Sequence, residues 1–122
     1  MGLRFVLDEN CRGTLWDAIV DHNGRAYPTI DATRVGDPPD RPLGSLDPAI
    51  LAWAEDQGRI LVSLDKATLL RHLRDHLQAG RHSPGLFLLR PGARLVAIVA
   101  SLAYIGEDGQ PEEFADVFTF IP

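Results

Sequence analysis

Short apolar stretches that end at polar residues alternate along the chain with longer stretches of helical periodicity. Three apolar runs bounded by turn or polar residues predict buried strands at residues 3–7, 60–64 and 86–89. Apolar residues recurring every three or four positions predict four helices. Their expected extents are 11–22, the segment from Asp47-Pro48 to Gly58, the segment between Asp65 and Gly80, and 95–104.

The remaining segments give weaker patterns. Residues 26–30 suggest a strand that Pro28 restricts to a sheet edge or makes irregular, and residues 31–46, with three prolines and two glycines, suggest a surface loop. A turn is expected at 106–109, followed by a last strand at 114–121 on a sheet edge. Strands alternating with helices predict a single α/β domain over residues 1–122, in three layers, with a mostly parallel central sheet and helices on both faces.

Composition narrows the class of protein. The chain has 122 residues, one cysteine and a net charge of −5. A single cysteine excludes an internal disulfide, which favours a cytoplasmic location. The longest mostly apolar run, residues 95–105, is shorter than the ~20 residues that cross a bilayer, so no membrane partner is expected.

Charge is unevenly distributed along the sequence. Residues 65–94 carry six basic and two acidic side chains, although the chain as a whole is acidic. Such a segment can contact a phosphate backbone locally, or it can simply be the solvated face of a helix. The basic residues of the segment are Lys66, Arg71, Arg74, Arg81, Arg90 and Arg94.

Three aspartates lie where polar groups collect in open α/β sheets. Asp8 and Asp65 each follow a predicted strand, and the carboxyl ends of parallel strands meet at one edge of the sheet. Asp47, at a helix start, could join them, with Glu9 and Asn10 as secondary oxygen donors. Carboxylate oxygens suit Mg²⁺ or Mn²⁺. Each aspartate also precedes a predicted helix, so helix capping is the alternative explanation.

A family resemblance rests on three blocks that occur in order. They are Leu7-Asp8-Glu9-Asn10, then Asp47-Pro48-Ala49-Ile50-Leu51-Ala52-Trp53-Ala54, then Gly58-Arg59-Ile60-Leu61-Val62-Ser63-Leu64-Asp65-Lys66. Together they resemble a compact bacterial PIN-like family with the patterns "LDEN", "sDeeIlawA" and "gRvLvTxDkDF". The match covers roughly residues 3–90. Members are similar to PIN-domain ribonucleases, which are often the toxins of toxin–antitoxin pairs.

The resemblance implies a metal-dependent ribonuclease with a PIN-like fold. It implies that Asp8, Asp47 and Asp65 are catalytic and hold Mg²⁺ or Mn²⁺, and Ser63 stands where the family usually has threonine. RNA would be the substrate, an antitoxin protein a partner, and a homodimer is a further expectation. We expect Arg12, Lys66, Arg71 and Arg74 to hold the flanking phosphates.

Two departures from the pattern support an alternative. Ala67 stands where the family has a second aspartate, and Thr68 stands where it has phenylalanine. A PIN-like scaffold without activity that binds another protein is therefore the second hypothesis. A phosphoacceptor signalling domain would explain Asp8, Glu9 and Asp65, but too few elements separate Asp65 from Arg90-Pro91 for that fold.

The sequence gives weaker support to two other kinds of site, a zinc site and a cysteine nucleophile. His72 and His76 lie four residues apart on a predicted helix, but a zinc site needs three or four ligands, so half-exposed polar histidines are expected. Cys11 has no histidine close by in the sequence that would support a nucleophile.

Overall fold

The computed structural model describes residues 2–11, 13–37 and 47–122. In chain order, the strands and helices alternate as far as β4, after which two helices precede the last strand. The strands are β1 (Arg4–Leu7), β2 (Asp31–Arg34), β3 (Ile60–Ser63), β4 (Leu86–Leu89) and β5 (Phe118–Ile121). The helices are α1 (Thr14–Arg25), α2 (Asp47–Gln57), α3 (Lys66–Gln78), α4 (Leu95–Asp108) and α5 (Pro111–Phe114), and a short 3-10 turn spans Glu9–Cys11.

All five strands are parallel and form one sheet in the order β2-β1-β3-β4-β5. The central strands β1, β3 and β4 are almost completely buried, which explains why, apart from Arg4 at the start of β1 and Ser63 at the end of β3, their residues are apolar. Both edge strands, β2 and β5, are more exposed. The α/β class, the parallel sheet and the edge position of the last strand are confirmed.

Helices cover both faces of the sheet, because side chains alternate between the faces along each strand. Phe5 and Leu7 of β1 pack with α1 and α4, whereas Val6 packs on the other side with α2 and α3. Two apolar cores therefore lie on either side of the sheet and give the predicted three layers.

The prediction for the second strand was wrong. β2 lies at Asp31–Arg34, inside the segment predicted as a loop, and residues 26–30 do not belong to the sheet. Asn23 explains this: its side chain bonds both backbone groups of Ile30, at 2.8 Å each, and ties that residue to α1. Residues 38–46 of the predicted loop lie outside the described residues.

Several boundaries also differ from the predictions. α1 starts three residues later than expected and continues through Asn23-Gly24, and α5 was not predicted. α4 extends through Gly106, which was expected in a turn. A Cβ at Gly106 would lie 3.2 Å from the Phe5 ring, so this glycine permits close packing of α4 on β1. Within the described ranges, no helix is both long and apolar enough to cross a membrane.

Candidate functional site

The candidate site lies at the carboxyl ends of β1 and β3, where the order of the strands reverses. From β1 the chain goes to β2 on one side, and later to β3, β4 and β5 on the other. Loops leave such a point in opposite directions and open a crevice, which is where ligands bind in open α/β sheets. Asp8 follows β1 directly, and its backbone N–H donates to the carbonyl of Val62 in β3 at 2.9 Å.

Asp8 is a buried carboxylate with both oxygens hydrogen-bonded. The residue is 7% exposed. Oδ1 accepts the backbone N–H of Glu9 at 2.8 Å, and Oδ2 accepts the hydroxyl of Ser63 at 2.9 Å. Burial raises the pKa of Asp8, and the charges of Glu9 and Asp65 raise it further, whereas its two hydrogen bonds act in the opposite direction. A desolvated acid with like-charged neighbours is a candidate for a functional residue.

Ser63 and Asn10 hold this carboxylate in place. The Ser63 oxygen accepts the backbone N–H of Asp65 at 3.0 Å and the Asn10 amide at 3.3 Å. The Asn10 carbonyl oxygen accepts the backbone N–H of Leu64 at 3.1 Å. The turn after β1 is therefore joined to the end of β3 through side chains, and the "LDEN" block and the block after β3 form one network.

The capping interpretation holds for one of the three aspartates. Asp65 is the N-cap of α3, since its Oδ1 accepts the backbone N–H of Thr68 at 3.2 Å. Asp8 directly precedes the 3-10 turn and its Oδ1 accepts the first N–H of that turn, from Glu9, but it does not cap α1, which begins at Thr14. Asp47 is the first residue of α2.

Asp47 shares an electrostatic environment with the other two acids. Partial burial raises the pKa of Asp47, and the charges of Asp8, Asp65 and Glu9 raise it further, while His72 lowers it. The structure therefore brings the three predicted aspartates within electrostatic range of one another. The position of His72 beside Asp47 was not foreseen, because it depends on how α3 packs against α2.

The donor chemistry of these acids fits a hard divalent cation. Carboxylate oxygens that repel one another are stabilised by Mg²⁺ or Mn²⁺, and Mg²⁺ is commonly held by only one or two carboxylates plus waters and substrate phosphates. Across residues 2–11, 13–37 and 47–122, no three His, Cys, Asp or Glu side chains converge closely enough to share an ion. Asp8 and Asp47, whose charges repel each other, are the two carboxylates that would serve if one or two acids, waters and substrate held the ion.

The predicted phosphate-binding residues are spread along α3. Lys66 is exposed at the start of the helix, next to Asp65, with its ammonium group 5.5 Å from the centre of the Phe120 ring. Arg71 and Arg74 are exposed further along, about 8 and 12 Å from Lys66 at 1.5 Å per residue. Lys66 is therefore nearest the acids along the helix. Arg12 lies outside the described residues.

Cys11, at the end of the turn that carries Asn10, is buried. Burial and the neighbouring charge of Asp8 raise the pKa of the Cys11 thiol to about 12. It is therefore a neutral thiol near pH 7, which is inconsistent with a thiolate nucleophile.

A second polar cluster lies at the other end of the strands, in the segments that precede β4 and β5. It was not predicted from the sequence. His76 is buried, not half-exposed as predicted, and its Nε2 lies 3.0 Å from both Glu55 Oε1 and the carbonyl oxygen of His82. Asp116 bonds the His82 ring at 3.0 Å and the backbone of Ser83 at 2.8 Å. These contacts fasten the loop before β4 to α2 and to the start of β5, so their role is structural.

Comparison with known proteins adds no assignment. No family model, no curated protein and no solved structure matches the chain.

Proposed function

We propose that the protein is a metal-dependent RNA phosphodiesterase of PIN-like type. The observation that carries the proposal is Asp8, a buried carboxylate at the point where the strand order reverses, in the field of Asp47 and Asp65. Simple capping does not explain a buried acid with two such neighbours. By its resemblance to PIN-like proteins, the chain would act in the cytoplasm as a toxin restrained by an antitoxin protein, with a homodimer as a further element of the proposal.

Each residue of the site has a role in this proposal. Asp8 and Asp47 would hold Mg²⁺ or Mn²⁺ directly, with Asp65, Glu9 and Asn10 as oxygen acceptors for the waters bound to the cation. When bound, the cation supplies charge stabilisation and a more acidic water at the phosphodiester. Ser63 and Asn10 fix the orientation of Asp8 before substrate arrives.

The exposed cations have a positioning role. Lys66 lies nearest the acids along α3 and would contact the phosphate beside the cleaved bond, and Arg71 and Arg74 would contact phosphates further along the strand. Arg12 belongs to the same set by its position in the sequence.

A second candidate function is a protein-binding module built on the same scaffold. Ala67 removes one acid of the family pattern, one oxygen of Asp65 is engaged as a helix cap, and no set of three metal ligands converges in the described part of the chain. A scaffold that retains the acids only as remnants would show these features.

The deciding experiment is RNA cleavage by purified, partner-free protein with Mg²⁺ or Mn²⁺. We expect cleavage that EDTA abolishes and that Asp8→Asn reduces by at least about 100-fold. Asp17→Asn, which removes an exposed acid of α1, is the matched control and should retain full activity. Circular dichroism of both variants excludes unfolding as the cause.

A gain-of-function variant tests the role of position 67. Ala67 is exposed in the first turn of α3, so Ala67→Asp should fold and restore the missing acid. We expect it to raise Mn²⁺ affinity, measured by calorimetry, about tenfold. A wild-type protein that neither cleaves RNA nor binds Mn²⁺ would overturn the nuclease proposal and leave the protein-binding module.

A further inference from the structure

A cavity of about 350 Å³ opens directly beside the candidate site. It lies between the start of α1, the end of β3 and the loop from β4 into α4. Asn10 and Leu64 form the wall nearest the acids, and Thr14, Ala93 and Leu95 form the rest of the rim. Its size falls within the range of about 300–1,000 Å³ that small-molecule sites occupy.

The cavity adjoins the candidate site because the two share residues. Asn10 lines the cavity, and its side chain donates to Ser63, the partner of Asp8, at 3.3 Å. Leu64 lines the cavity too, and its backbone N–H donates to Asn10 at 3.1 Å. A ligand whose one end lies at the carboxylates can therefore place its other end in the cavity.

The lining determines which end of a nucleotide fits. It consists of aliphatic side chains with one amide, one hydroxyl and the thiol of Cys11, and none of the described residues that line it is charged. An uncharged ring with a few polar edges fits such a lining. α1 and α4 also begin at this wall without side-chain caps, so their first backbone N–H groups can donate to ring carbonyls.

We propose that this cavity is a nucleobase subsite, which holds the base of the nucleotide whose phosphate lies at Asp8 and Asp47. The proposal rests on the proposed nuclease function and adds to it a source of base preference. Leu64 and Ala93 form the apolar walls against the ring, and Asn10 and Thr14 supply polar contacts to its edge.

The test uses nucleosides, which lack phosphate and so bind without a cation. In ¹H–¹⁵N spectra of the ¹⁵N-labelled protein, adenosine or uridine should shift the amide signals of Thr14, Leu64, Ala93 and Leu95, with a dissociation constant on the order of 1 mM. Ribose 5-phosphate, which has no base, should leave these signals unchanged.

Matched variants locate the binding. Ala93→Leu fills the cavity and should weaken nucleoside binding about tenfold or more. Ala100→Leu adds the same volume at an exposed position of α4 and should bind as the wild type does. Should Ala93→Leu fail to fold, Leu64→Ala, at a residue that is 52% exposed, removes a cavity wall without disturbing the core.

The outcomes separate this proposal from the nuclease proposal. Nucleoside shifts elsewhere on the protein, no shifts at all, or wild-type binding by both cavity variants would overturn the subsite, even if RNA is cleaved. Nucleoside binding at the cavity without any cation-dependent cleavage would support a nucleobase site and overturn the nuclease.

Discussion

Replacement of Ser63 by alanine tests directly whether the site is built around Asp8. The Ser63 hydroxyl is fully buried and donates to Asp8 Oδ2 at 2.9 Å. It also accepts hydrogen bonds from the backbone N–H of Asp65, which is half-buried, and from the side-chain amide of Asn10, which is exposed. Water can replace Ser63 as the acceptor of these two bonds. Only the bond to Asp8 has no such substitute. A hydrogen bond to a charged group contributes about 1.5–3 kcal/mol, so Ser63→Ala should lower the free energy of unfolding by that amount at pH 7.

The effect should depend on pH in a defined direction. The Ser63 bond favours the ionised form of Asp8 and so lowers its pKa, against the larger effect of burial, which places the pKa above 3.8. A bond that favours the charged form stabilises the protein while Asp8 is ionised, and this contribution is lost as the pH falls through the pKa of Asp8. The difference between wild type and Ser63→Ala should therefore be larger at pH 7 than near about pH 4.

Thermal and urea unfolding followed by circular dichroism measure this difference. At roughly 4 °C per kcal/mol, we expect Tm to fall by roughly 6–12 °C at pH 7. Ser101→Ala on α4 makes the same chemical change away from the site and should have little effect. Ser63→Thr keeps the hydroxyl and should recover part of the loss. A loss under about 0.5 kcal/mol at pH 7, or an equal loss at both pH values, would refute the argument that Ser63 holds an ionised Asp8.

Three further predictions follow from burial and charge. Asp8→Asn should raise the free energy of unfolding by about 0.5–2 kcal/mol at pH 7, because it removes a desolvated charge that its acidic neighbours repel. This gain should shrink as the pH falls through the raised pKa of Asp8. Urea titrations measure the effect, and a variant less stable than the wild type would show that the Asp8 carboxylate stabilises the fold. His76→Ala should lower the free energy of unfolding by about 1–3 kcal/mol, because it removes the contacts of a buried ring with Glu55 and His82. His72→Ala, at a half-buried position of the same helix, should cost clearly less, and equal losses would contradict the role of the His76 contacts. Cys11 is buried and its pKa is raised to about 12, so it should react with iodoacetamide at pH 8 only after denaturant is added. Mass spectrometry measures the labelling, and rapid labelling of the native protein would contradict the burial of this thiol.

Much of the fold was determined by the sequence alone. β1, β3 and β4 are central parallel strands, buried on both faces, so their residues are apolar apart from Arg4 and Ser63, and their positions follow from the sequence. The start of α2 at Asp47 and the N-cap of α3 at Asp65 follow from local chemistry. Asp8 and Asp65 were placed at one edge by the rule for parallel strands.

Tertiary structure decided what depends on distant partners. β2 is a polar edge strand of Asp-Ala-Thr-Arg, so its own residues give no strand pattern and only its pairing with β1 defines it. Its true position also depends on the side-chain bonds by which Asn23 ties Ile30 to α1.

The same division applies to the candidate site. The sequence supplied Asp8, Asn10 and Ser63 as separate residues, but the contact between Asp8 and Ser63 spans 55 positions and arises only when β1 pairs with β3. The proximity of His72 to Asp47, and the cavity beside Asn10, depend on helix packing. Local residue chemistry fixes which groups a segment carries, whereas strand order and packing fix which of these groups meet.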